Sequence, residues 1–96
     1  MSLRRVVVTG LGALTPIGNT ADEYWQGLVR GVSGAATITK FDISKFKTRF
    51  ACEVKNFNPE NYFERKEVRK YDPYTHYGIV ASDEAIRDSG LDLSGE

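Results

Sequence analysis

The sequence is poor in the residues from which self-contained reactive sites are usually built. Its 96 residues include one cysteine, Cys52, and one histidine, His76. A single cysteine excludes an internal disulfide framework and a cysteine-built zinc site. A Ser-His-Asp or Cys-His arrangement would have to use His76. No apolar run comes near the ~20 residues needed to span a bilayer, so no membrane partner is expected. The opening Met1-Ser2-Leu3-Arg4-Arg5-Val6 has no apolar stretch of signal-peptide length, which makes the cytoplasm the expected compartment. Net charge is also missing, because thirteen basic side chains cancel thirteen acidic ones. That balance argues against nonspecific nucleic-acid binding by the whole surface. What is present, 41% hydrophobic and 27% charged residues, is the composition of a folding chain.

The zero balance hides a gradient. Residues 40–70 carry nine basic and five acidic side chains, whereas residues 71–96 carry one basic and six acidic. The middle third is therefore the candidate contact for an acidic partner, and the last third is not.

Arg5 to Leu11 reads as a strand, since Val6-Val7-Val8 is a continuous β-branched run bounded by Gly10 and Gly12. A strand apolar on both faces suits burial between two layers. Thr20 and Glu23 form a capping box that opens a helix. Tyr24, Trp25, Leu28 and Val29 give that helix an apolar stripe, and Gly31 stands at its end. Residues 31–49 read as loop, and Phe50 to Val54 as a short strand. Asn58-Pro59 caps a helical turn over Pro59–Phe63. Glu64 to Lys70, free of Gly and Pro, reads as helix. Asp72-Pro73 opens a longer helix that runs to Ser89 and stops at Gly90. Tyr74, Tyr77, Gly78, Ala81 and Ala85 share one face of it, widened by Ile79, Val80 and Ile86. So broad an arc of mostly small residues predicts burial on more than one side, with close approach by another element.

Gly10-Leu11-Gly12 follows a strand as a dinucleotide fingerprint would, but Thr15 replaces the third glycine and no helix opens at the turn. A tight turn needing backbone freedom is the preferred reading. Cys52 lies in Phe50-Ala51-Cys52 with neither a helix start nor a histidine beside it, so it reads as a small core residue rather than an activated thiol. His76 has no spaced second ligand, which argues against a metal site and for a helix-surface or interface position. The basic run Arg65 to Lys70 is more informative. On a helix Lys66, Arg69 and Lys70 fall at i, i+3 and i+4 and share a face, while Glu67 falls off it. Such a face either keeps a protein soluble or steers an acidic helix or a phosphate.

One strongly apolar strand cannot build a sheet alone, and its two edges need partners. The chain therefore reads as an N-terminal piece of a larger α/β protein.

Several segments together resemble the start of the β-ketoacyl-acyl-carrier-protein synthases. They are Arg4-Arg5-Val6-Val7-Val8-Thr9-Gly10-Leu11-Gly12, Thr15-Pro16-Ile17-Gly18-Asn19, Phe41-Asp42-Ile43-Ser44, Phe50-Ala51-Cys52-Glu53-Val54, Arg65-Lys66-Glu67 with Arg69-Lys70, Tyr77-Gly78-Ile79-Val80-Ala81 and Asp88-Ser89-Gly90-Leu91. The form is similar to the elongating type II synthases of bacterial fatty-acid synthesis. The resemblance implies that residues 1–96 are the N-terminal segment of a ketoacyl synthase N-terminal domain. It implies a thiolase-like fold layered α-β-α-β-α and a homodimeric parent.

The implied reaction loads an acyl group onto a cysteine and condenses it with malonyl-acyl carrier protein, with loss of carbon dioxide. The family's nucleophile and its two histidines lie downstream of the matched stretch. No catalytic residue is therefore expected here, and residues 1–96 alone are expected to be inactive. Neither Cys52 nor His76 matches a catalytic position, and no cofactor or metal is implied. Lys66, Arg69 and Lys70 do match positions that meet the acidic helix of acyl carrier protein, with Arg65 beside them. A noncatalytic chain-length-factor-like subunit and a dinucleotide-binding fragment are the competing readings.

Overall fold

A computed structural model describes residues 3–93. Its elements are α1 (Ala21–Arg30), β1 (Ala35–Thr37), β2 (Phe50–Cys52), a 3-10 turn (Pro59–Asn61), α2 (Arg65–Lys70) and α3 (Pro73–Ser89). The caps follow the local sequence closely. Thr20 accepts from the Glu23 amide, and the Glu23 carboxylate accepts from the Asn19 amide, extending the cap one residue upstream. Gly31 and Gly90 both take the left-handed conformation that ends a helix without a Cβ penalty. Asn58 caps the 3-10 turn through its side chain. Asp72 behaves differently: its side chain makes no capping bond, and its carbonyl accepts from Thr75 and His76 instead.

The expected strand over Arg5–Leu11 is not formed. A strand exists only by pairing, and the one sheet among the described residues is the antiparallel pair β1–β2, with Ala35 opposite Cys52 and Thr37 opposite Phe50. β1 lies inside the stretch read as loop, because Ala35-Ala36-Thr37 carries no strong apolar alternation. Val6, Val7 and Val8 are left 66–87% exposed.

The segment is nevertheless fixed, by α3. The Leu11 amide donates to Asp88 Oδ2 at 3.0 Å, and the Ala13 amide to Glu84 Oε1 at 2.8 Å. Glu84 also accepts from the Ala21 amide, so one carboxylate joins the opening segment to the first turn of α1. Between these bonds the chain lies directly on the helix. A Cβ added to Gly12 would stand 1.9 Å from the Ala81 carbonyl oxygen, and one added to Gly10 would stand 2.1 Å from that of Ala85. The small face of α3 at Ala81 and Ala85 thus receives a close neighbour, as its composition predicted, but the wider arc is not covered, since Tyr74, Gly78, Ile79 and Ile86 are exposed. The two glycines serve that approach rather than a turn, since neither has a positive φ.

A second tie gathers the loops. Lys55 Nζ donates to the carbonyls of Gly34, Glu53 and Pro16 at 2.8, 3.0 and 3.3 Å. The Asn19 side chain donates to the Lys55 carbonyl. Lys55, one of the nine cations of the basic third, is therefore spent on structure.

The burial pattern is that of an open layer. Val80 is the one buried large apolar side chain among the described residues. Trp25, Leu28 and Val29 of the α1 stripe are half or more exposed. The radius of gyration is 17.3 Å, against ~12–13 Å for a compact domain of this length.

Candidate functional site

The basic helix owes its position to its neighbours. α2 begins after Glu64, whose extended backbone marks the N-cap, and ends at Tyr71, where φ −120° and ψ 145° break the helix. Asp72 precedes a proline and is held extended for the same reason that any pre-proline residue is. The two-residue break lets α3 leave in a new direction. An aromatic group supports the corner: Phe57 stacks on Tyr62 at 5.5 Å and meets Tyr77 edge-on at 5.3 Å, while Phe63 packs on His76 at 5.2 Å. Val68 is the inward residue of α2. It lines a hollow of about 330 Å³ with Phe57, Pro59, Tyr71 and His76.

With Val68 turned inward, Lys66, Arg69 and Lys70 are all exposed, as is Arg65. The four are not equivalent. Lys70 Nζ lies 3.6 Å from Glu67 Oε1, and Arg65 Nε lies 3.3 Å from Glu60 Oε1. Lys66 and Arg69 have no ion pair among the described residues. Glu67 lies off the ridge of the three cations, yet its carboxylate reaches the ridge through the i, i+3 spacing to Lys70. This arrangement is exposed and charged, which suits docking a macromolecule rather than enclosing a small substrate.

The other candidates do not assemble a reactive site. Cys52, expected in the core, is an exposed free thiol, because the face of the two-stranded pair on which it stands is uncovered. His76, expected at a surface or interface, is 5% exposed, and its Nε2 has no hydrogen-bond partner among the described residues. Its position on α3 turns it under the Phe63 ring instead of outward. No group of three or more His, Cys, Asp or Glu side chains among the described residues is placed to hold a metal. A larger hollow of about 510 Å³ lies between α1 and α3, lined by Leu11, Ala21, Tyr62, Val80, Glu84 and others. Two of its carboxylates, Glu84 and Asp88, accept from backbone amides. The Gly10-Leu11-Gly12 backbone is pressed onto α3, which leaves no helix start at the glycines to receive a pyrophosphate.

Comparison with known proteins assigns this α/β segment to a class. Residues 3–95 match the family described as "Beta-ketoacyl synthase, N-terminal domain". The chain is 49% identical over all its 96 residues to the 3-oxoacyl-[acyl-carrier-protein] synthase 2 of Vibrio cholerae, covering 23% of that protein. It is 50% identical over 88 residues to the protein of the same name from Synechocystis, covering 92% of this chain and 21% of the relative. Among solved structures, "The ishigamide ketosynthase/chain length factor" superposes with a TM-score of 0.85 at 37% identity, over 95% of this chain and 23% of that one. The chain belongs to the β-ketoacyl synthase family, and it takes the fold of the N-terminal part of a thiolase-like α/β ketosynthase. It spans less than a quarter of the length of these relatives.

Proposed function

We propose that the protein carrying this segment is an acyltransferase of fatty-acid elongation. It joins an acyl-enzyme thioester to malonyl-acyl carrier protein by decarboxylative Claisen condensation. Residues 1–96 serve it as the N-terminal segment of the ketoacyl synthase N-terminal domain, with the exposed apolar faces of Val6–Val8 and α1 covered by further elements. In this reading the parent is a cytoplasmic homodimer. The observation that carries the proposal is the exposed basic face of α2, in a chain 44–50% identical to proteins named for acyl-carrier-protein chemistry.

The part assigned to this segment is recognition. Lys66, Arg69 and Lys70 hold and steer the acidic helix of the carrier, and no residue of the segment enters the bond-making steps. Exposed ion pairs contribute only ~0–1 kcal/mol each, but several on one face speed encounter and fix orientation. The test is Lys66→Glu with Arg69→Glu in the full-length protein. The expected result is a rise in KM for the carrier-bound substrate of about ten-fold or more that shrinks with added salt, with little change in kcat. Unchanged carrier kinetics in a folded variant would refute the docking role.

A second reading, a noncatalytic chain-length-factor-like subunit, draws support from the structural neighbour, a ketosynthase/chain length factor. Condensation by the purified full-length protein without a second ketosynthase subunit separates the two, since only the enzyme turns over alone.

A further inference from the structure

Resting on the carrier-docking reading, we infer that Glu67 is a built-in competitor for the partner's carboxylates, holding Lys70 back so that docking on α2 stays weak and reversible.

The argument begins with the unequal state of the cations. Lys66 and Arg69 point into solvent unpaired, whereas Lys70 Nζ already has a carboxylate at 3.6 Å on its own helix. Glu67 is well placed to compete. It stands in the first turn of α2, where the helix dipole favours a negative charge, and its side chain is 39% exposed against 65% for Lys70. Spacing does the rest, because i and i+3 are neighbours on a helix. Glu60, in the 3-10 turn that precedes α2, pairs with Arg65 at 3.3 Å across a five-residue separation rather than by helical spacing. The pairing is therefore repeated at both ends of the face, and the two central cations are left free.

The energetic consequence has a definite sign. An acidic helix that reaches Lys70 must displace an existing partner, and it also meets the Glu67 charge. Both effects lower affinity. A carrier that delivers a substrate and leaves must dissociate in each cycle, so a self-paired cation shortens the complex without shrinking the contact surface. Lys66 and Arg69 then make first contact, and Lys70 exchanges partners second.

The experiment measures binding of malonyl- or acyl-carrier protein to the full-length protein at low and moderate salt. Glu67→Gln keeps the side-chain shape and an N3 residue suited to the first turn. It is expected to tighten carrier binding about two- to five-fold, chiefly by slower dissociation. In a Lys70→Met background the same change should lose at least half of that gain. Glu60→Gln is expected to act in the same direction through Arg65. No tightening, or a gain undiminished in the Lys70→Met background, overturns the inference and leaves simple charge repulsion or no role. The underlying docking reading fails on a different result, unchanged carrier binding in Lys66→Glu with Arg69→Glu.

Discussion

Replacing Gly12 with alanine tests the most constrained contact in the segment. The added Cβ would stand 1.9 Å from the Ala81 carbonyl oxygen and 2.9 Å from both the Ala81 carbonyl carbon and the Ala85 amide nitrogen. All three are backbone atoms of α3 and none can rotate away. Restoring ordinary van der Waals contact, at 3.4 Å or more, requires the opening chain to retreat by about 1.5 Å from a packed helix. That retreat stretches the neighbouring bond from the Ala13 amide to Glu84, now 2.8 Å, past useful geometry. Overpacking costs about 1–3 kcal/mol, and the loss of a hydrogen bond to a charged group adds to it, so the variant should lose about 2–4 kcal/mol.

The proper comparison is Gly31, whose added Cβ would meet nothing within 4 Å but whose φ is +69°. Gly31→Asn should be nearly neutral, because asparagine tolerates that conformation, whereas Gly12→Asn should be worse than Gly12→Ala. Urea denaturation of the full-length variants, with hydrogen exchange at the Leu11 and Ala13 amides, reads both effects. A Gly12→Ala protein of unchanged midpoint with both amides still protected would show that the chain does not lie against α3.

Two further outcomes follow from particular side chains. Glu84→Ala removes the shared acceptor of Ala13 and Ala21 and should cost about 1–3 kcal/mol, with Glu84→Gln intermediate because it retains one oxygen acceptor; thermal denaturation within the error of the parent would rule out the clamp. Glu53 carries a pH dependence. Burial is the largest single influence on it and raises its pKa, but bonds from the Thr39 hydroxyl and amide, the Lys40 amide and the Lys40 charge together hold the carboxyl below its ordinary 4.5. A lowered folded value means that the tie is at full strength above 4.5 and is lost as pH falls through the lowered value. Protection of the Thr39 amide, corrected for intrinsic exchange, should fall in that acid window and lose its pH dependence in Glu53→Gln.

The candidate docking face was legible because it depends on one helix. Lys66, Arg69 and Lys70 share a side by spacing alone, and only a helix over Glu64–Lys70 was needed to align them. The pairing of Lys70 with Glu67 was not legible, since a ridge drawn from spacing says nothing of how far a flexible carboxylate reaches. His76 was misplaced for a related reason. Helical periodicity says which residues share a face, but the Phe57–Phe63 loop decides which face is covered. Cys52 failed in the opposite direction, since an apolar triplet reads as core wherever its cover comes from.

The sequence by itself determined what lies within reach of a few residues. The Thr20–Glu23 cap, the left-handed stops at Gly31 and Gly90, the turn at Asn58-Pro59 and the break before Pro73 are each settled by local hydrogen bonding and φ preference. Only the tertiary structure decided what Gly10 and Gly12 are for, what Glu84 and Lys55 hold, and that Val6–Val8 forms no strand here. Those outcomes depend on residues tens of positions apart meeting through backbone amides, carbonyls and hydrogen-bonded edges, and a backbone edge carries no side-chain signature in the sequence.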